Sequence, residues 1–175
     1  MELFWSKGFE ATSKRDLMEA TGVASQSLYN AFGDKRSLFR EAAAHYAEGI
    51  FAQLAAQLEE TDSPLENLRR VIRSWAQTPK SCLLANTACE MGSTDPEIRD
   101  FLHLQMGRAV GMVQATLELA QAQGELAPNV DCSELAMALF AMRGGFSIMS
   151  RSEVSHEHLE RAVAGAISLL SHCTT

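Results

Sequence analysis

The side chains between Thr12 and Lys35 suit contact with a polyanion and with the edges of bases, and none of them forms a bond-breaking set. Gln26 can pair bidentately with adenine in a major groove, and Ser25, Ser27, Tyr29 and Asn30 add hydroxyl and amide groups beside it. Lys14, Arg15, Lys35 and Arg36 are the cations available for phosphate, together with helix N-termini. These groups need two short helices to hold them. Thr12 and Ser13 stand where a helix can start, Asp16 follows three residues after Ser13, and Leu17 and Ala20 have the spacing of a buried face, which predicts a helix over Lys14 to Thr21. Gly22 ends it, and Val23 is expected to plug the corner. A second helix is predicted from Ser25 to Phe32, with Leu28 and Phe32 inward and Gln26, Ser27, Tyr29 and Asn30 outward. Helix, glycine turn and helix is the helix-turn-helix pattern, whose second member enters the major groove.

The stretch LFWSKGFEATSKRDLMEATGVASQSLYNAFGDKRSLFREAAAHY resembles the N-terminal domain of tetracycline-repressor (TetR) family transcriptional regulators. The resemblance rests on Gly8-Phe9, Thr12-Ser13, Gly22-Val23, Ser27-Leu28-Tyr29, Phe32, and Lys35 followed by Leu38-Phe39. It implies an all-α chain with a DNA-binding domain over residues 1–45 and an effector-binding and dimerisation domain over 46–175. Thr12, Ser13, Lys14, Ser25, Gln26, Ser27, Tyr29, Asn30 and Lys35 are the positions it assigns to a double-stranded DNA operator. Two features depart from the family. The first helix is short and lacks a preceding basic arm, as in a chain that starts partway into the pattern, and Ala24 replaces the usual capping serine, a role Ser25 is expected to take.

Composition agrees with an ordinary globular protein: 175 residues, 46% hydrophobic and 21% charged. No apolar run is long enough for a membrane span, so a cytoplasmic protein with no membrane partner is expected. Net charge is −7, but the first 50 residues hold six basic against seven acidic side chains, so the acidity belongs mainly to the rest. DNA contact must come from a few placed groups. Cys82, Cys89, Cys132 and Cys173 lack the spacing of a disulfide scaffold or a zinc site, and His156 and His158 at i and i+2 point to different sides of a helix. No cofactor or metal is expected, and no nucleophile motif or phosphate loop supports an enzyme.

Beyond Asp34, helices are expected from Lys35 to Glu59, Leu65 to Gln77, Ser81 to Met91, Asp95 or Pro96 to Gln123, about Pro128–Asp131 to Ser150, and His156 to His172, with a break at Thr78 to Lys80. Lys35 at the start of its helix opposes the dipole, which favours a phosphate partner. In the second half, Trp75, Cys82, Asn86, Cys89, Phe101 and Met106 are the candidates for contact with a small, mostly apolar effector; Asn86 equally suits a satisfied core amide. Cys82 and Cys89 read chiefly as small buried hydrophobes, and about 10.5 Å of helix separates them, too far for a disulfide. Leu135, Leu139, Met142 and Phe146, with Leu159, Val163, Ile167 and Leu170, form two apolar stripes that the resemblance assigns to a homodimer interface, the alternative being the chain's own core. The function implied is a ligand-released repressor. A thiol-based electrophile or redox sensor and a helical interaction module without DNA binding are the alternatives.

Overall fold

The computed structural model describes residues 1–77, 82–152 and 154–173. Among them lie nine helices: α1 (Glu2–Lys7), α2 (Lys14–Thr21), α3 (Ser25–Phe32), α4 (Lys35–Leu58), α5 (Pro64–Gln77), α6 (Leu83–Met91), α7 (Pro96–Ala122), α8 (Cys132–Arg151) and α9 (His156–Ser171). No strand occurs among the described residues. The expected break at Thr78 to Lys80 and the helix start at Ser81 lie outside them; within them, α6 begins at Leu83 behind Cys82.

By packing, the chain forms two compact units, each assembled from two segments rather than from one stretch of sequence. The first unit joins residues 1–50 to 82–103, and the second joins 51–81 to 104–175. The reason is apolar packing. Met91 at the end of α6 and Ile98 in α7 belong to the same core as Phe4, Phe9, Leu17, Leu28, Phe39 and Ala43. Three aromatic rings centre that core, with Phe39 edge-on to Phe4 at 5.1 Å and to Phe9 at 5.2 Å.

The second unit packs α5 against α8 and α9. Its core runs from Leu65, Leu68, Ile72 and Trp75 to Leu117, Leu126, Leu139, Phe146, Val163 and Leu170, with Trp75 and Phe146 5.3 Å apart. A polar set closes the turn before α5. Asn67, 1% exposed, donates to the carbonyls of Leu58 and Thr61 and accepts from the Thr61 amide and hydroxyl. All of its amide capacity on the turn side is used, as burial requires.

Two sequence expectations meet the packing here. Of the two stripes assigned to a dimer interface, Leu139, Phe146, Leu159, Val163 and Leu170 are buried in this chain's own core, while Leu135, Met142 and Ile167 are partly buried against it. Periodicity identifies an apolar face but not the chain that covers it. The outward apolar side chains of these helices are instead Met137, Ile148 and Leu169. Cys89, read as a small buried hydrophobe, is exposed, and Cys82 is half-buried.

Candidate nucleic-acid interface

α2 and α3 form over the residues expected of them. Ser13 caps α2 with a complete capping box: its hydroxyl accepts the Asp16 amide at 3.1 Å, and Asp16 Oδ2 accepts the Ser13 amide at 2.8 Å. Lys7 donates to Asp16 Oδ1 at 2.6 Å, tying α1 to the start of α2. Hydrogen bonds from Lys7 and then Ser13 hold the Asp16 carboxyl well below the usual carboxylate range. Gly22, with φ 68° and ψ 9°, takes the left-handed conformation that ends α2 and donates to the Met18 carbonyl. α3 follows after two residues.

No side chain caps α3: Ala24 is the N-cap and makes no such bond, and Ser25 does not replace it. The helix therefore presents uncapped first-turn amides on the Gln26 and Ser27 side, where Gln26, Ser27 and Asn30 are all exposed. An uncapped N-terminus with its partial positive charge suits a phosphate oxygen. Lys14 is exposed, with its ammonium 5.1 Å from the centroid of the Tyr29 ring. Arg15 pairs with Glu19 at 2.8 Å, an exposed pair that a phosphate can compete for.

Several side chains assigned to DNA have other work. Thr12 is 0% exposed, and its hydroxyl donates to the Gly8 carbonyl at 2.6 Å, so it braces the turn before α2 and cannot touch a ligand. Ser13 is committed to the capping box. Lys35 donates to the Glu10 carbonyl at 3.3 Å with its ammonium 4.4 Å from the Phe9 ring centroid, so its charge has a structural partner after all. Arg36 pairs with Asp95 at 3.3 Å, and Arg40 with Glu97 at 2.9 Å. Tyr29 is half-buried rather than outward, and its covered hydroxyl has no hydrogen-bond partner among the described residues. Ser25 is half-buried as well. Val23 and Phe32, expected inside, are 40% and 39% exposed. Leu28 alone anchors α3 in the core, because Phe32 is the last residue of the helix and Val23 lies in the turn ahead of it.

Comparison with known proteins decides what this arrangement is. Residues 1–42 match the model for bacterial regulatory proteins of the tetR family, and residues 63–166 match the tetracyclin repressor-like C-terminal domain. The HTH-type transcriptional repressor ComR of Escherichia coli is 31% identical over 176 residues, covering 97% of this chain and 84% of ComR. The chain belongs to the TetR family. This TetR-family protein is similar in structure to a TetR regulator from Chloroflexus aurantiacus, with a TM-score of 0.87 and 26% identity over 97% of this chain and 88% of that one. A cysteine-substituted CifR, solved with a 26-base-pair double-strand operator, matches with a TM-score of 0.85 and 28% identity over 95% of this chain and 90% of CifR. This TetR-family chain is a DNA-binding transcriptional regulator, not an enzyme, with α2 and α3 as the helix-turn-helix.

The remaining candidates fall in different units. Trp75 and Met106 belong to the apolar core of the second unit. Phe101 packs on the core of the first, and Cys82, Asn86 and Cys89 lie on or beside α6 in that same unit. Among the described residues, no group of His, Cys, Asp and Glu has a metal-binding arrangement, and no helix is long and apolar enough to cross a membrane. One polar contact near the helix-turn-helix escaped sequence reading altogether. Glu90 on α6 accepts the amides of Phe9 and Glu10, a pairing 80 and 81 residues apart that no local motif announces.

Proposed function

We propose that this regulator represses as a two-fold dimer, reads its operator through Gln26, Ser27 and Asn30, and is released by a small, mostly apolar effector held in the second unit. The observation that carries the dimer is the second apolar facet of α8 and α9. Met137 and Ile148, 47% and 61% exposed, lie on the outward side of α8, and Leu169, 64% exposed, on that of α9. A Cβ added at Gly145 or Gly165 meets nothing within 4 Å, so a second pair of helices can approach closely there. One short recognition helix reads only a few base pairs, and a two-fold pair repeats it about 34 Å away or at a multiple.

For DNA, Lys14 and the open amides of α3 supply phosphate contact, while Gln26 and Asn30, one turn apart on an exposed face, reach base edges. For the effector, Trp75 and Met106 belong to the aromatic and aliphatic interior of the second unit, the kind of lining an apolar ligand needs. Release requires differential affinity: a 100-fold loss of operator binding needs about 2.7 kcal/mol of coupling, and the operator must weaken the effector equally.

The test is a per-position binding profile on operator DNA selected by the wild-type protein, alongside native mass spectrometry. A dimer on a near-palindromic site, with Gln26→Ala relaxing preference at one base pair of each half-site, is expected. A monomer on DNA, or a profile unchanged by Gln26→Ala, defeats the reading. For the effector arm, a compound that binds free and operator-bound protein equally well is not the releasing ligand.

A further inference from the structure

The turn between α1 and α2 is held by a side chain from α6. Glu90 Oε2 accepts the Phe9 amide at 3.0 Å, and Oε1 accepts the Glu10 amide at 2.8 Å, so one carboxylate spans two successive backbone donors. Gly8 shows how closely the two approach. Its φ of 83° and ψ of 174° belong to a region open essentially to glycine, and a Cβ there would lie 2.8 Å from Oε2 and 3.0 Å from Oε1. Only a carboxylate accepts on both oxygens; a glutamine would turn an NH₂ group toward one of the amides.

The same three residues are gripped from two other directions. Thr12 donates to the Gly8 carbonyl, and Lys35 at the start of α4 donates to the Glu10 carbonyl. Phe9 itself is buried edge-on to Phe39 of α4. The turn is thus the place where α6, α4 and the lead-in to α2 meet, and Ser13, the cap of α2, follows three residues later. Glu90 is exposed and adds nothing to the apolar core, so losing it frees the turn without opening the interior. Its two charge-assisted bonds compete with water, which makes the tie breakable at moderate cost.

We propose that Glu90 is a positioning residue for DNA binding: by clasping the amides of Phe9 and Glu10 it sets the α1–α2 turn, and with it α2 and α3, in the operator-binding arrangement, so that a shift of α6 is felt at the DNA. This rests on the reading that α2 and α3 dock the operator. The clasp supplies a contiguous physical contact between an element outside the helix-turn-helix and the residues that launch it.

The experiment compares wild type, Glu90→Gln, Glu90→Ala, Gly8→Ala and the Gly8→Ala/Glu90→Ala double variant. The probes are operator DNA enriched by the wild-type protein from a random pool, a scrambled duplex, and amide hydrogen exchange. Glu90→Ala is expected to weaken operator binding at least 10-fold, leave scrambled-duplex affinity unchanged, and abolish protection at Phe9 and Glu10 while α2 and α3 stay protected. Glu90→Gln should fall between, since one amide keeps its acceptor. Because Gly8→Ala evicts the carboxylate, adding Glu90→Ala to it should cost nothing more. Wild-type operator affinity in Glu90→Ala, additive losses in the double variant, or protection lost throughout α2 and α3 overturns the proposal. A wild-type protein that enriches no sequence overturns the docking reading beneath it, and is told apart because that result needs no variant.

Discussion

Two turns in this molecule are closed by a glutamate from a distant part of the chain, and they differ in what surrounds them. In the second unit, Glu125 Oε2 accepts the Leu65 amide at 2.9 Å and the Ser63 hydroxyl at 3.0 Å, next to the fully bonded, buried Asn67. In the first, Glu90 clasps the α1–α2 turn from an exposed position. The chemistry is the same. Beside Glu125 the turn is also locked from inside by Asn67, so the carboxylate adds to the stability of a turn already saturated. Beside Glu90 the other ties are a lysine, a threonine and one buried ring, so the carboxylate is proposed to govern the setting of the turn that leads into α2. On the proposal for Glu90, function falls where polar ties are exposed and few, and stability where they are buried and saturated.

The sharpest way to break that contrast is to put a charge on each facet of the C-terminal helices. Leu139→Glu places a carboxylate in the core at a site 4% exposed and should cost about 4 kcal/mol or more, enough to unfold a marginal domain. Leu169→Glu, at a site 64% exposed, should leave the urea midpoint of the second unit nearly unchanged while producing monomer that has lost tight operator binding. A folded monomer from Leu139→Glu would return the buried stripe to the dimer interface.

The next largest effect should come from the saturated turn. Asn67→Ala strands the Leu58 and Thr61 carbonyls and the Thr61 amide, a loss of about 3 kcal/mol, whereas Glu125→Ala should cost about 1 to 2 kcal/mol. Chemical denaturation followed by helix content measures both. Operator affinity of the folded fraction should not change, which is the opposite of the outcome for Glu90. If Asn67→Ala costs no more than a surface substitution, the turn is not the lock described.

The division between what the sequence discloses and what it hides follows the range of the interactions. Ser13, Asp16, Gly22 and the Leu17 and Leu28 positions act within one or two turns, and α2 and α3 duly span the expected residues. The TetR family was legible from the same local pattern. Phe32 and Val23 misled because an apolar residue at a helix end or in a turn has the composition of a core residue without the position of one. Lys35 looked free because its partner, the Glu10 carbonyl, lies 25 residues away, and the Glu90 clasp was invisible for the same reason. On α8, the inward stripe of Leu135, Leu139, Met142 and Phe146 and the outward Met137 and Ile148 both have helical spacing; which is covered by the same chain depends on tertiary packing.

A smaller effect separates DNA contact from folding at Tyr29. Its hydroxyl is covered and has no partner among the described residues, so Tyr29→Phe removes an unsatisfied group and should raise stability by about 1 kcal/mol. Because the covered hydroxyl is closed to phosphate as Thr12 is, the same variant should bind DNA no more weakly than wild type despite being more stable. A thermal midpoint that falls in Tyr29→Phe would show that the hydroxyl is bonded in solution.

The smallest expected effect is a pH dependence shared by both units. Asp16 is held low by hydrogen bonds from Lys7 and Ser13, Asp34 by the Ser37 amide, and Glu66 of the second unit by a hydrogen bond from Arg73. A carboxyl depressed in the folded state stabilises fully above its unfolded value, about 3.9 for aspartate, and that contribution disappears as pH falls through the folded value. Stability should therefore be flat from pH 7 to about 5 and decline below about 4. Asp16→Asn keeps one acceptor for the capping box but loses the ionic partner of Lys7, so it should lower the thermal midpoint at pH 7. The gap to wild type should narrow below pH 4 as the wild-type carboxyl protonates. Because the Lys7–Asp16 pair is partly exposed, with side chains 47% and 22% accessible, the gap at pH 7 should also shrink in high salt. A gap independent of pH and salt would mean that Asp16 acts through the shape of its capping box alone and that the tie from α1 to α2 contributes nothing ionic.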